Sequence, residues 1–285
     1  MVPLPASDVA QAVEAALAED LGSGDVTTLA TVPETAMCRA EMRARHTLTV
    51  AGLAFAVAAF RQLSSSVQLE CLAADGQTMS PGDVLLRIHG PARPILSAER
   101  VALNFVQRLS GIATLTSCYV TTIAGTRARI LDTRKTTPGW RKFEKYAVTC
   151  GGGANHRFGL YDRVLIKDNH LVALREAQPN AVAAAVARAR AFAPGLLVEV
   201  EADTLHQASQ AAEAGADIIL LDNFTPAQLR EAVLLIAGRS QIEASGGVNL
   251  TTVRPIAETD VDFISVGAIT HSAPAVDIGL DFLSP

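Results

Sequence analysis

The pattern of apolar and polar positions divides the chain into a short mixed region and a longer, regularly alternating one. Residues 8–20 place apolar side chains at helical spacing and stop before Gly22, which predicts a helix. One apolar helix and three short β-like runs follow, at 53–63 for the helix and at 38–43, 67–71 and 84–89 for the strands. This first region is expected to be a small α+β domain.

A second pattern begins with a long helix predicted over 97–123. Ser97 is its expected N-cap, because Glu99 and Arg100 follow it in the first turn. After Gly125 strands and helices alternate. Strands are predicted at 128–132, 163–167, 196–201, 217–222, 241–245 and 262–266. Helices are predicted between them, at 181–192, 204–214, 226–237 and 251–258.

This alternation indicates parallel strands connected by helices, in an α/β sheet or barrel. Six strands are fewer than the eight of a closed TIM barrel, so an open, doubly wound sheet is the alternative. Polar side chains, however, collect where each of the six strands ends. A barrel uses all its strand ends for one site, whereas a doubly wound sheet uses mainly those beside its switch point. The pattern therefore favours a barrel.

Composition and charge narrow the classes of ligand. The 285-residue chain is 49% hydrophobic and has a net charge of −5, so neither nucleic acid nor an anionic membrane is an expected partner. Nevertheless, residues 127–167 contain ten basic side chains and only three acidic ones. Two interpretations stay open on charge alone: a site for a small polyanion, or a solvated basic face.

Cysteine spacing and apolar run lengths bear on the compartment. The four cysteines lie far apart and lack metal-binding spacing, which predicts free thiols in a reducing compartment. The N-terminus lacks a secretory pattern, and the longest apolar stretch, 50–60, is shorter than the roughly 20 residues of a membrane span. We expect a soluble, cytoplasmic protein.

Two segments in the basic stretch carry candidate chemistry. Asp132-Thr133-Arg134-Lys135 ends a strand, where adjacent Arg and Lys side chains can bind a carboxylate or a phosphate, although a surface Arg-Lys pair is common. Residues 151–157, Gly-Gly-Gly-Ala-Asn-His-Arg, combine conformational freedom with two cationic-capable side chains. We interpret this glycine run as an anion-binding loop rather than a linker, with His156 either a ligand or a structural histidine.

The remaining strand ends add a lysine, carboxylates and glycine loops. Lys167 follows an apolar strand and suits either phosphate binding or a Schiff base. Glu199 and Glu201 share one strand face, and with Asp222 they suit pairing with cations, a divalent ion or ribose hydroxyls. Two loops occupy the usual phosphate-binding position of a (β/α) barrel, Ser245-Gly246-Gly247 and Val266-Gly267-Ala268.

From about residue 12 onward, the motifs together resemble the quinolinate phosphoribosyltransferase family. They are, in order, D-T-R-K-T-T-P-G, K-Y-A-V-x-x-G-G-G-x-N-H-R-x-G-L, L-I-K-D-N-H, E-V-E, L-L-D-N-F, S-G-G-V and V-G-A-I-T-H-S. The resemblance implies an α/β fold of the type II phosphoribosyltransferases. An N-terminal α/β sandwich over 1–110, with the tail 271–285 packing back on it, would precede an incomplete (β/α) TIM-like barrel over 111–270.

The same resemblance implies a reaction and an assembly. Phosphoribose would pass from phosphoribosyl pyrophosphate to quinolinate with loss of CO₂, giving nicotinate mononucleotide and pyrophosphate in de novo NAD biosynthesis. Mg²⁺ is the implied cofactor. The implied assembly is a homodimer in which Arg100 reaches the neighbouring site, and association beyond the dimer stays open.

Residue roles follow from the same motif positions. Arg134, His156 and Arg157 would bind the quinolinate carboxylates together with a partner's Arg100. Lys135 and Lys167 would meet phosphates. Glu201 and Asp222 would hold ribose hydroxyls and Mg²⁺. The implied catalytic set is Lys135, Lys167, Glu201 and Asp222, and the implied substrate-binding set is Arg100, Thr133, Arg134, Lys135, His156, Arg157, Lys167, Glu201, Asp222, Ser245, Gly246, Gly247, Val266, Gly267 and Ala268.

Three alternatives to this function stay open. A relative of the same fold could act on another substrate, as the molybdenum-transport-associated pyrophosphorylase-like proteins do. A Schiff-base aldolase would use Lys167 as its nucleophile. A non-enzymatic anion sensor would bind quinolinate without releasing pyrophosphate.

Overall fold

The structure is a computed structural model that describes residues 3–283. Its helices are α1 (Ala6–Leu21), α2 (Val26–Thr31), α3 (Leu53–Leu63), α4 (Ala92–Thr122), α5 (Arg141–Cys150), α6 (Asp168–Val172), α7 (Ala181–Phe192), α8 (Leu205–Glu213), α9 (Pro226–Ile236), α10 (Val253–Ala257) and α11 (Ala268–His271). Its strands are β1 (Met37–Ala44), β2 (Leu48–Thr49), β3 (Gln68–Cys71), β4 (Thr78–Met79), β5 (Val84–Pro91), β6 (Arg129–Leu131), β7 (Val164–Ile166), β8 (Val198–Ala202), β9 (Ile218–Asp222), β10 (Gln241–Ser245), β11 (Phe263–Ser265) and β12 (Ile278–Phe282).

These elements form two compact units. Within the described residues, the first unit comprises 3–117, 142–152 and 273–283, and the second comprises 118–141 and 153–272. Residues 111–117 and 142–152, which the sequence places in the barrel domain, make their contacts in the first unit. Within residues 3–283, none of the helices has the length and apolar character that crossing a membrane requires.

The first unit is built on an antiparallel sheet in the order β12-β1-β5-β3. The C-terminal strand β12 pairs with β1 along Ala40–Ala44, so the end of the chain joins the N-terminal domain. Aromatic side chains fill the core beside the sheet. Phe55 of α3 stacks on Phe105 of α4 with ring centroids 4.6 Å apart, and it meets Phe143 of α5 edge-on at 5.0 Å.

The long helix α4 begins at Ala92, so the prediction of Ser97 as its N-cap is wrong. Pro94 lies in the first turn, where a helix tolerates a residue without an N–H. Ser97 is therefore inside the helix, and its hydroxyl donates to Asp25 Oδ2 at 2.9 Å. Asp25 in turn caps α2 by accepting the Thr28 N–H at 2.9 Å.

The second unit contains a parallel sheet in the order β6-β11-β10-β9-β8-β7. Strands β7 to β11 pair in chain order, and β6 pairs with β11. This is the cyclic order of a barrel that is open between β6 and β7, whereas a doubly wound sheet reverses its order at the switch point. The predicted incomplete (β/α) barrel is confirmed.

A single residue extends the barrel at its open side. Ala154 N donates to Ile130 O at 2.8 Å, and Asp132 N donates to Ala154 O at 3.2 Å. These β6 groups alternate with those that bind β11, so Ala154 lies on the free edge of β6. This contact brings His156 and Arg157, which follow directly, to the end of the barrel where the strands terminate.

Candidate active site

A cavity of about 440 Å³ lies at the carboxyl ends of the barrel strands. Every segment predicted to carry chemistry at a strand end contributes a lining side chain except 266–268, whose place is taken by Ser265 just before it. The lining residues are Thr133, Arg134, Lys135, His156, Arg157, Leu165, Lys167, Glu201, Leu220, Asp222, Glu243, Ser245 and Ser265. Apart from Leu165 and Leu220 the lining is polar, so the cavity suits a charged ligand.

Two guanidinium groups give the cavity its positive charge. The Nε of Arg134 is buried and has no hydrogen-bond partner within residues 3–283. Burial lowers the pKa of Arg157, and the charge of Arg134 lowers it further. Like charges held close together with unsatisfied donors favour a ligand that brings more than one negative group.

Hydrogen bonds fix the loop after β6. Thr133 Oγ1 accepts the Lys135 N–H at 3.0 Å, and Thr270 Oγ1 donates to Lys135 O at 2.8 Å. The Lys135 side chain passes beside Gly267, where a Cβ would lie only 3.2 Å from Lys135 Cδ. Lys135 thereby lies next to the loop after β11, one of the two predicted phosphate loops.

An ion pair connects two further strand ends. Lys167 Nζ lies 2.5 Å from Glu201 Oε2, with the lysine half-exposed and the glutamate largely buried. Asp222 ends β9 and accepts a hydrogen bond from Asn223 Nδ2 at 2.8 Å. Lysine and both carboxylates thus meet at one wall of the cavity, as their strand-end positions predict.

The phosphate loops differ in what each residue contributes. Gly246 has a φ of +96°, and a Cβ there would lie 2.2 Å from Asn223 Oδ1, so glycine is required. Val266 is buried, and its main-chain N–H donates a hydrogen bond to Leu131 O at 2.9 Å. That N–H is used within the sheet and is not available to bind a phosphate. Gly246, Gly247, Val266, Gly267 and Ala268 are absent from the cavity lining of the described chain, whereas Ser245 lines it.

Two predicted features lie elsewhere. Arg100 is exposed on α4 in the first unit, while the cavity-lining residues of the described chain belong to the second. The glycines 151–153 do not line the cavity either. A Cβ on Gly151 would lie 2.3 Å from Ala113 O and 2.6 Å from Thr116 Cβ of α4. Gly151 is therefore small because it packs closely against α4, and the anion-binding interpretation of the loop stays a prediction that His156 and Arg157, which line the cavity, carry.

A buried acidic cluster beside the cavity includes residues that the sequence reasoning missed. His156 Nε2 lies 3.0 Å from Glu199 Oε2 and 3.5 Å from Glu243 Oε2, and Arg163 donates to Glu199 at 3.2 Å. Glu243 was missed although a signal existed: in β10 it shares one strand face with Gln241 and Ser245, while Ile242 and Ala244 take the other.

The two acids of this cluster have opposite pKa shifts. Burial raises the pKa of Glu199, but hydrogen bonds from His156 and Arg163 and the positive charge of Arg163 outweigh it, so the net pKa is lowered. Burial, and then the charge of Glu199, raise the pKa of Glu243 well above its usual range. Of the two, Glu199 therefore loses its proton the more readily, and Glu243 holds its proton to higher pH.

Fold and cavity together define a class of protein: a (β/α)-barrel enzyme whose site gathers cations and carboxylates for a phosphate-bearing, polyanionic substrate. Comparison with known proteins narrows the class. The family profile "Quinolinate phosphoribosyl transferase, N-terminal domain" matches residues 25–110, and the corresponding C-terminal domain profile matches 112–281. The chain belongs to the quinolinate phosphoribosyltransferase family.

Individual relatives agree along almost the whole length. The chain is 42% identical over 264 residues to a probable nicotinate-nucleotide pyrophosphorylase [carboxylating] of Bacillus subtilis, covering 92% of this chain and 89% of that one. It is similar to the nicotinate-nucleotide pyrophosphorylase structure from Francisella tularensis, with a TM-score of 0.93, 39% identity and coverage of 99% and 98%. The NadC structure from Streptococcus pyogenes matches with a TM-score of 0.93, 41% identity and full coverage of both chains.

Proposed function

We propose that the protein transfers phosphoribose from phosphoribosyl pyrophosphate to the nitrogen of quinolinate and releases CO₂ and pyrophosphate, giving nicotinate mononucleotide for NAD biosynthesis. One observation carries this proposal within the family. Arg134 and Arg157 provide two guanidinium groups in one cavity, and the lysines Lys135 and Lys167 line the same cavity. A dicarboxylate and a sugar pyrophosphate have the matching charges.

Binding of quinolinate rests on Arg134 and Arg157. Each guanidinium can bind a carboxylate through two parallel hydrogen bonds, and the buried Nε of Arg134 gains the partner that it lacks. The His156 ring accepts a hydrogen bond from the main-chain N–H of Arg157 at 2.7 Å. This contact fixes the main chain from which the Arg157 side chain extends. His156 therefore contributes by positioning Arg157, alongside its place in the cavity lining.

The transfer step rests on the charged residues beside the sugar. Lys135, Lys167 and the loops at 245–247 and 266–268 would neutralise phosphate groups, while Glu201 and Asp222 oppose the positive charge that develops at the anomeric carbon. The glycosidic bond to pyrophosphate breaks as the ring nitrogen bonds to that carbon. The electron pair left on the ring carbon when CO₂ departs is stabilised by the adjacent positively charged nitrogen, and that carbon then takes up a proton.

The lysine at β7 supports this chemistry over a Schiff base. An ammonium group paired with a carboxylate at 2.5 Å is a poor nucleophile, because its lone pair is engaged by the proton. Lys167 therefore acts electrostatically in this proposal. Borohydride treatment in the presence of a carbonyl substrate should leave no lysine adduct.

We also propose that Glu201 and Asp222 hold Mg²⁺ together with substrate phosphates. Both carboxylates line the cavity, and Mg²⁺ is usually bound in proteins by one or two carboxylates plus phosphate oxygens. The ion would neutralise charge on the departing pyrophosphate. Activity should therefore be lost on chelation and restored by added Mg²⁺.

A homodimer is the proposed assembly. Arg100 is exposed on the first unit and would supply a further cation to the cavity of a neighbouring chain. A cytoplasmic location is proposed because the four cysteines are free thiols. Some curated relatives are chloroplastic or mitochondrial forms, so cell fractionation is the direct test of compartment.

Substrate choice tests the proposed function. Purified protein should release pyrophosphate from phosphoribosyl pyrophosphate when quinolinate is present, and not when nicotinate replaces it, because nicotinate lacks the second carboxylate. Turnover with nicotinate and not quinolinate would assign the chain another reaction of this fold. Binding of quinolinate without any turnover would instead favour an anion sensor.

A further inference from the structure

Three buried side chains, His156, Glu199 and Glu243, meet beside the cavity in a cluster whose two glutamates have no role in the proposed reaction. Their nearest polar atoms all lie within 4.8 Å of one another. Both glutamates are 0% exposed and His156 is 8% exposed. Burying polar groups this deeply costs free energy unless hydrogen bonds or ion pairs compensate for the lost hydration. The contacts within the cluster must supply this compensation.

The hydrogen bonds of His156 fix its ring. Nδ1 accepts the Arg157 N–H at 2.7 Å, so in the neutral ring the proton is on Nε2. Nε2 points at the acids, 3.0 Å from Glu199 Oε2 and 3.5 Å from Glu243 Oε2. The acids thereby set the tautomer and orientation of His156, and through it the main chain at Arg157.

The charges in the cluster are uneven. Glu199 accepts hydrogen bonds from both His156 and Arg163, which suits an ionised carboxylate. Glu243 makes no hydrogen bond of ordinary geometry to the described residues, and its Oε2 faces His156 Nε2 across a longer distance of 3.5 Å. A second ionised carboxylate, buried beside the first and without a close hydrogen-bond donor among the described residues, would be strongly disfavoured.

A metal ion does not suit these three residues. The Arg163 guanidinium lies 3.2 Å from Glu199, and the Nε2 proton of His156 points toward the same acids. A metal ion among these residues would be repelled by the positive charge of Arg163, and the N–H of His156 would occupy the position of a ligand lone pair. The cluster is better described as a hydrogen-bonded support beside the cavity wall.

We propose that Glu243 is a positioning residue for the quinolinate site: as a neutral carboxyl group it helps hold His156 in place without adding a negative charge that would compete with the substrate. This inference rests on the proposed function. The groups that face Glu243 are Glu199 on β8, His156 and Arg163 ahead of β7, and Ser265 on β11, with Leu220 beside it on β9.

The proposal predicts a specific pH dependence. Burial and the Glu199 charge raise the pKa of Glu243 well above its usual range, while the Ser265 hydroxyl and Arg163 oppose the shift. Ionisation therefore occurs only as pH rises toward the raised pKa. It would place a second negative charge near Arg134 and Arg157, and the KM for quinolinate should then increase.

Two variants test the positioning role by kinetics. Glu243→Leu removes the second acceptor facing His156 and should raise the KM for quinolinate about five- to tenfold, with a smaller change in the KM for phosphoribosyl pyrophosphate. Glu243→Gln keeps a neutral polar group of the same shape and should recover most of this loss. It should also flatten the alkaline rise of quinolinate KM that is expected for the wild type. Equal losses in both variants, or the same alkaline rise in Glu243→Gln and wild type, would overturn the proposal.

A stability measurement separates this inference from the proposed reaction. A carboxyl group with a raised folded-state pKa loses stabilising free energy as pH rises above its ordinary pKa. Glu243→Gln should therefore gain thermal stability relative to wild type as pH increases, and a constant difference would count against a neutral Glu243.

Elemental analysis that finds a tightly bound metal in wild type but not in Glu243→Gln would also overturn the proposal. If the protein shows no turnover at all, the proposed reaction is contradicted, but the stability test of Glu243 still applies.

Discussion

Arg134 has a buried side chain with an unpaired donor, and the loop that carries it is held in place by main-chain contacts. Its Nε is buried without a hydrogen-bond partner among residues 3–283. Its main-chain oxygen accepts the Thr136 N–H at 3.0 Å, and the Arg141 guanidinium approaches the same oxygen at 3.4 Å. The loop therefore holds the arginine in place before any ligand binds, and a carboxylate ligand would supply the missing acceptor.

Replacing this arginine should affect one substrate far more than the other. Arg134→Ala is expected to raise the KM for quinolinate roughly 10- to 100-fold, the equivalent of losing a charge-assisted bidentate contact. The KM for phosphoribosyl pyrophosphate should change little. Thermal stability should not fall, because an unsatisfied buried group and a like-charge neighbour of Arg157 are removed.

The matched control for this prediction is Arg134→Lys. It keeps the charge but loses the two-pronged geometry, so its KM for quinolinate should lie between those of the alanine variant and the wild type. Initial-rate kinetics with each substrate varied in turn give both constants. An unchanged quinolinate KM in Arg134→Ala would rule out the assigned role.

The sequence could predict Arg134 and Lys167 because each directly follows a recognisable apolar strand. Glu243 and Arg163 were harder to assign. The glutamate in the middle of β10 becomes informative only once the barrel places it against Glu199 and His156. Side chains whose significance comes from a buried neighbour on another strand cannot be assigned from local pattern alone.

At the scale of elements, α5 shows why a regular helix can be overlooked. It buries Phe143, Ala147 and Val148, but Glu144 and Lys145 are also buried and interrupt the apolar pattern. Glu144 pairs with Arg108 of α4 at 2.9 Å. When charged residues form pairs inside a core, they interrupt the helical periodicity of apolar residues on which helix prediction depends.

The end of this helix provides a stability prediction. Gly151→Ala should destabilise the protein by about 1–3 kcal/mol or more, because the new Cβ would overlap the main chain of α4 at Ala113. Gly195→Ala is the control, since a Cβ there meets nothing within 4 Å. Chemical unfolding of both variants gives the comparison. Equal stabilities would show that close packing is not why position 151 is a glycine.

At the scale of the whole molecule, the six barrel strands and their order along the chain followed from the alternating pattern, and so did the barrel. The pattern did not reveal how the open side of the barrel is completed. Ala154 joins β6 through two main-chain hydrogen bonds that no side-chain pattern records. Nor did it place residues 142–152 in the first unit, since that depends on contacts distant in sequence.

Assembly can be tested by mixing two inactive variants. If Arg100 completes the cavity of a neighbouring chain, Arg100→Ala and Arg134→Ala should each have low activity. An equal mixture allowed to exchange subunits should recover up to about a quarter of wild-type activity, because half the dimers would contain one intact site. No recovery despite verified subunit exchange would place Arg100 outside the neighbouring site.

The central claim is that one cavity attaches phosphoribose to a dicarboxylate and then removes one of its carboxyl groups. The most direct measurement uses quinolinate labelled in the 2-carboxylate, with phosphoribosyl pyrophosphate, Mg²⁺ and purified protein. The account predicts that labelled CO₂ and nicotinate mononucleotide form in equal amounts, and only when phosphoribosyl pyrophosphate is present. Formation of a nucleotide that retains the label, or no labelled CO₂ at all, would contradict it.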